Sequence, residues 1–191
     1  MGTFNPIHNG HLQMAETVLE QTKMDKIIFI PAFLPPHKDI GVLNPIHRLK
    51  ILEIAVENNK HFEVDPIEYK RNEKSYTYYT IKELYKNYEH VEGKINLIIG
   101  EDAFAKIASW HKAQELADLV KFLILPRSND FKPDELIKKI ELDRIDYQVI
   151  NAPFIDISST KIRERIRNNQ SLKGFVPKKV EIYLKQNKLY E

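Results

Sequence analysis

His8 and His11 stand three positions apart in the stretch "GTFNPIHNGHLQMAE", with Gly2 and Gly10 around them and helical spacing from Leu12 onward. Glycine lets a ligand approach the backbone, a helix N-terminus offers unpaired N–H groups, and imidazole nitrogens donate hydrogen bonds. That combination suits an anion, a phosphate chain above all. A glycine turn with two surface histidines is the plainer reading. Zinc is the third, but no further ligand at suitable spacing and no cysteine accompanies the pair.

A second stretch, "ISSTKIRERIR", places Ser158, Ser159 and Thr160 at another helix start, with Lys161 and Arg163 just inside it. One hydroxyl suffices to cap a helix. Three hydroxyls, with a guanidinium fork able to grip phosphate through two N–H groups, add anion recognition to capping. Two such helix ends in one chain argue for a triphosphate.

Both stretches need a scaffold, and the pattern between them supplies one. Short apolar runs rich in β-branched residues, "KIIFIPAF", "HFEVD", "KINLIIG", "VKFLILPR" and "DYQVINAP", read as strands. Helical spacing separates them, through Leu12, Ala15, Val18 and Leu19, then Leu49, Leu52, Ala55 and Val56 after the Asn44–Pro45 start signal. It continues through Ile81, Leu84, Tyr85 and Tyr88, then Leu116 and Leu119, then Leu136, Ile137 and Ile140. Ile162 with Ile166, and Val180 with Tyr183 and Leu184, mark a helical C-terminal segment. "PAFLPPHKDIGVLNP" is aperiodic and proline-rich, a long loop of the kind that carries function. Alternating helices and uninterrupted apolar strands predict an α/β fold, a doubly wound parallel sheet with helices on both faces. Ligands bind such sheets beyond the carboxyl ends of the strands.

The bulk composition narrows the partners. At 191 residues and 42% hydrophobic content the chain suits one domain, 1–191. Lys and Arg total 29 against 27 acidic residues, a net charge of +2, so neither a nucleic-acid nor a membrane surface is expected. No cysteine, no membrane-length apolar run and no leader pattern fit a soluble, cytoplasmic protein.

"GTFNPIHNGH", "PPHK", "SYT", "IIGEDAF" followed by Trp110, and "ISSTKIR" resemble, in order and approximate spacing, the bacterial nicotinate mononucleotide adenylyltransferases. These belong to the nucleotidylyltransferase superfamily with its H-x-G-H motif, and the similarity runs over essentially the whole chain. The resemblance implies a Rossmann-like fold and transfer of the adenylyl group of ATP to nicotinate mononucleotide, with release of pyrophosphate. The attacking phosphate is already anionic, so such a reaction rests on alignment and charge neutralisation. By resemblance His8, His11 and Arg163 are the catalytic contacts, and Gly2, Thr3, Phe4, Gly10, Gly100, Asp102, Ser159 and Thr160 bind ATP. Lys38, Thr77, Trp110 and His111 bind the mononucleotide, Trp110 by stacking on the pyridine ring. A core tryptophan and, for Asp102, a helix N-cap near Ala103 are the structural alternatives. Mg²⁺ is expected on the polyphosphate, with no metal site built from side chains.

Two departures stand out. The family carries an apolar strand ahead of the Thr-Phe pair that this chain does not show, so a natural chain longer by one strand is expected. Tyr79 also stands near where the family has a carboxylate. Nicotinamide mononucleotide or phosphopantetheine as acceptor, and a non-catalytic nucleotide-sensing module, remain the other readings, with a homo-oligomer left open. A fragment of a class I tRNA synthetase shares the histidine turn but lacks support from charge.

Overall fold

The 3.6-residue apolar repeat after Gly10 folds as helix α1 (Asn9–Thr22), burying Gly10, Ala15 and Val18 along one face. The remaining elements follow in order: β1 (Ile27–Phe29), α2 (Pro45–Val56), β2 (Phe62–Val64), α3 (Ile67–Arg71), α4 (Thr77–Asn87), β3 (Ile95–Gly100) and α5 (Glu101–Phe104). Then come a 3-10 turn (Ile107–Ser109), α6 (Ala113–Leu119), β4 (Val120–Leu125), α7 (Pro133–Ile137), β5 (Tyr147–Val149), α8 (Ser159–Arg167) and α9 (Lys178–Gln186). This computed structural model describes residues 1–36, 41–71, 73–88, 91, 93–127, 130–153 and 155–191.

The parallel α/β class expected from the alternation is what the chain adopts, with every strand pair among the described residues parallel and helices between the strands. The strands form two sheets among the described residues, β1-β2 and β3-β4-β5, rather than one. Contacts divide the chain into two compact units, Met1–Lys74 with Ile155–Glu191, and Ser75–Phe154.

In the first unit β1 pairs with β2 from Ile27 against Phe62 to Phe29 against Val64. Past the end of β1, Gly2 forms a single parallel bridge with Pro31, donating N–H to Ile30 C=O at 3.0 Å and accepting from Ala32 N–H at 2.8 Å. The opening loop therefore starts at the carboxyl end of β1. Proline has no N–H to continue a ladder, which is why the long apolar run from Lys26 yields so short a strand.

In the second unit β4 is central and nearly all of it is buried, whereas β3 alternates, so β4 explains the unbroken apolar run and β3 the half-polar one. Phe104 and Phe122 meet edge to face at 5.4 Å in its core. Helix α4 stops at Asn87 and α7 at Ile137, leaving Tyr88 and Ile140 just past the helices their spacing had suggested. No helix among the described residues is long and apolar enough to cross a membrane.

Candidate functional site

In the first unit the opening loop is held from two helices, α2 and α8. Phe4, buried at its sharpest point, takes a left-handed φ of 45°. Arg48, on α2 and 1% exposed, donates to Thr3 C=O at 2.8 Å, Ala32 C=O at 2.6 Å, Phe33 C=O at 2.8 Å and Leu43 C=O at 2.9 Å. One guanidinium fork thus ties the opening loop to the segment after β1 and to the start of α2. From α8, Ser159 Oγ donates to Pro6 C=O at 2.8 Å and Arg163 Nη1 to Asn5 C=O at 2.8 Å.

The two helix starts singled out by their chemistry are therefore joined by direct hydrogen bonds. They differ in how their ends are satisfied. Ser158 caps α8 by accepting from Lys161 N–H, and Thr160 Oγ1 accepts from Arg163 Nη2 at 3.1 Å, so each of the three hydroxyls has its own bond. No side chain caps α1, whose N-cap is His8; the Asn9 N–H donates instead to Phe175 C=O at 2.8 Å. Lys161 reaches Asp156 at 2.7 Å.

His8 and His11 stack with ring centroids 3.7 Å apart, and Phe4 meets His11 edge-on at 5.3 Å. His8 is 6% exposed, and burial pushes its pKa down to about 4, so its imidazole is neutral at pH 7. Its Nδ1 has no hydrogen-bond partner among the described residues. A Cβ on Gly10 would lie 3.0 Å from that atom, which explains the glycine between the histidines. At Gly2 a Cβ would press on the Phe4 ring at 3.2 Å.

The second unit carries the other candidates. Gly100 ends β3 and is the N-cap of α5, with open space where a Cβ would stand, so local packing does not require glycine there. Because α5 starts at Glu101, Asp102 lies inside its first turn and is not its N-cap. Its carboxylate pairs with Arg127 Nε at 2.8 Å, both side chains exposed, just past the carboxyl ends of the neighbouring strands β3 and β4. Thr77 is the first residue of α4, whose N-terminus has no side-chain cap.

Trp110, directly after the 3-10 turn, is half-buried and so is not the fully buried core tryptophan that was the alternative reading. His111 is exposed, stacks against Tyr76 at 4.6 Å, and its Nε2 bonds Tyr79 OH at 3.1 Å. Tyr79, the departure from the family pattern, is thus tied to a candidate residue. Lys38 lies outside the described residues. Among those described, no cluster of three or more His, Asp or Glu side chains could hold a metal ion.

Sequence reasoning missed Arg48, Asn5, whose Oδ1 accepts from Tyr190 O–H at 2.8 Å, and Arg127. Arg48 sits in "PIHRLK" like any solvated helix arginine, and no local signal distinguishes it. Arg127 follows a strand, a position where ligand contacts concentrate, and that cue was available.

The cytidylyltransferase-like family model matches residues 1–165. A protein of Caldicellulosiruptor saccharolyticus curated as "Probable nicotinate-nucleotide adenylyltransferase" is 36% identical over 196 aligned residues, covering 100% of this chain and 96% of its own length. One of the same name from Carboxydothermus hydrogenoformans is 34% identical, with coverages of 99% and 94%. Among solved structures, the Plasmodium falciparum nicotinic acid mononucleotide adenylyltransferase complexed with NaAD superposes with a TM-score of 0.81 at 19% identity, covering 99% of this chain and 94% of that one. The same enzyme complexed with APC gives 0.75 at 20% identity. At those identities the superpositions establish the fold alone.

Proposed function

We propose, since this chain belongs to the nicotinate-nucleotide adenylyltransferase family of cytidylyltransferase-like proteins, that it transfers the adenylyl group of ATP to nicotinate mononucleotide. The observation that carries the reading is the joining of two helix starts, through Ser159 to Pro6 and Arg163 to Asn5, around an α1 N-terminus that no side chain caps. An anion there meets imidazole N–H and a guanidinium together, at the positive end of a helix dipole.

In the reaction an oxygen of the mononucleotide phosphate attacks the α-phosphorus of ATP, and the bond to the bridging oxygen breaks. Pyrophosphate leaves with that electron pair. The nucleophile needs no deprotonation, so the residues act by alignment and by neutralising charge. His8, neutral, donates one N–H; His11 stacks on it and donates to the phosphates. Arg163 lies across the turn and meets the polyphosphate with the N–H groups not used on Asn5 and Thr160. Gly2, Thr3, Phe4 and Gly10 shape the loop, and Ser159 and Thr160 add donors as their hydroxyls turn.

Gly100 and Asp102 serve the nucleoside, Asp102 accepting from ribose hydroxyls. Trp110 stacks on the pyridine, Thr77 and His111 present backbone N–H groups to its carboxylate, and Lys38 meets a phosphate. Mg²⁺ brought with ATP would be held by phosphate oxygens and water rather than by side chains, and would supply charge neutralisation. In this reading residues 1–191 serve as one nucleotidylyltransferase domain in the cytoplasm.

The test is pyrophosphate release and dinucleotide formation from ATP and Mg²⁺ with either nicotinate or nicotinamide mononucleotide. Turnover with the acid and much less with the amide is expected. Release with neither overturns the assignment.

A further inference from the structure

Asn5 is the hub of the opening loop. The residue is 7% exposed. Oδ1 accepts from Leu43 N–H at 3.0 Å and from Tyr190 O–H at 2.8 Å, and Nδ2 donates to Gly41 C=O at 3.0 Å. A backbone donor on one end of the amide and a backbone acceptor on the other fix which way it faces. The carbonyl of the same residue receives Arg163. Asn5 therefore joins the guanidinium assigned to the polyphosphate, the segment leading into α2, and the chain beyond α9.

Tyr190 reaches this hub in a conformation its backbone does not favour. Its φ is 68° and that of Lys188 is 49°, both in the left-handed region and neither a glycine. Between them Leu189 is buried and donates its N–H to Leu184 C=O, folding the chain back along α9. Strain of this kind persists where surrounding contacts over-determine it, and it concentrates where a structure positions something. Burial pushes the phenol pKa well above its ordinary value, more than nearby Arg163 and Arg48 lower it, so the hydroxyl stays a donor throughout the working pH range.

We propose that Tyr190 is a positioning residue: through Asn5 its hydroxyl holds the turn that presents His8 and receives Arg163. The inference rests on the adenylyl-transfer reading. Tyr190→Phe removes one oxygen and leaves Leu43 and Gly41 bonded to Asn5, so the loop loosens without collapse. The turn then samples geometries in which Arg163 and the histidines are misaligned for attack, which lowers kcat more than it weakens ATP binding.

The experiment compares wild type, Tyr190→Phe, Asn5→Ala and the double variant by pyrophosphate release and by hydrogen exchange of the peptide spanning residues 2–11. Tyr190→Phe is expected to lower kcat about tenfold while KM for ATP moves less than about threefold. Exchange across residues 2–11 accelerates, with α2 and the thermal midpoint close to wild type. In the double variant the tyrosine change adds nothing to the asparagine change, because both act through one bond. Wild-type kcat in Tyr190→Phe, unchanged exchange in the loop, or multiplying effects in the double variant would each overturn the proposal. If the wild type itself releases no pyrophosphate, the adenylyl-transfer reading fails, and loop exchange in Tyr190→Phe alone upholds or overturns the hold of Tyr190 on the turn.

Discussion

His8 is buried with no hydrogen-bond partner on Nδ1, and its pKa near 4 sits well below the 6.5 of a free imidazole. The unfolded chain therefore binds a proton at this residue, between those pH values, that the folded chain refuses. Above pH 6.5 both states are neutral and nothing is lost. As pH falls from 6.5 toward 4 the folded state loses up to about 3 kcal/mol at this residue. Urea midpoints at pH 7 and pH 4.5 should show a smaller drop for His8→Gln than for wild type; equal drops would remove His8 as the cause. Gly10→Ala brings a Cβ 3.0 Å from the same Nδ1. Alanine favours the helix by roughly 1 kcal/mol, so stability should stay within about that of wild type. The displaced imidazole should still lower turnover by about tenfold, read from initial rates beside a urea titration. The histidines and Gly10 were legible in the sequence because their types and spacing have few uses. Asn5 was not, since its importance comes from partners 36, 38 and 185 positions away.

Helix α2 contributes more than a covering face. Its Arg48 bonds four carbonyls from the opening loop, the segment after β1 and the approach to α2. Burial lowers the guanidinium pKa, and the fields of Tyr69, Tyr190 and Glu68 offset this only in part. Arg48→Met keeps the stem and strands the carbonyls. Denaturant unfolding should register a loss of about 3 kcal/mol or more. Lysine should not rescue it, because a single ammonium cannot span four acceptors. A loss under about 1 kcal/mol would mean that water takes over those carbonyls. The start of α2 was readable from Asn44 and Pro45, and Asn44 Oδ1 does accept from Ile46 N–H at 2.9 Å. The inward turn of Arg48 was not, because apolar periodicity says which face is buried and nothing about a charged residue that finds backbone acceptors there.

Across the whole molecule, helix and strand alternation conveyed the parallel α/β class, while the division into two sheets depended on pairings that local pattern does not encode. The candidates divide accordingly, with the histidines and Arg163 in one compact unit and Trp110, His111 and Asp102 in the other. A consequence can be measured. Nicotinate mononucleotide should quench the fluorescence of Trp110, the only tryptophan, and ATP alone should not. His11→Ala should keep that quench while losing turnover, which separates acceptor binding from transfer. Loss of the quench together with turnover would show that the two groups do not act separately.

The opening loop also carries a schedule of manufacture. Residues 2–11 leave the ribosome well before the side chains that lock Asn5 and Pro6 in place, which lie 153, 158 and 185 positions later. Chains emerge at roughly 5–20 residues per second, so for many seconds the turn exists without its clamps. A nascent polypeptide that lacks those residues is therefore a poor consumer of cellular ATP, and competence waits for them.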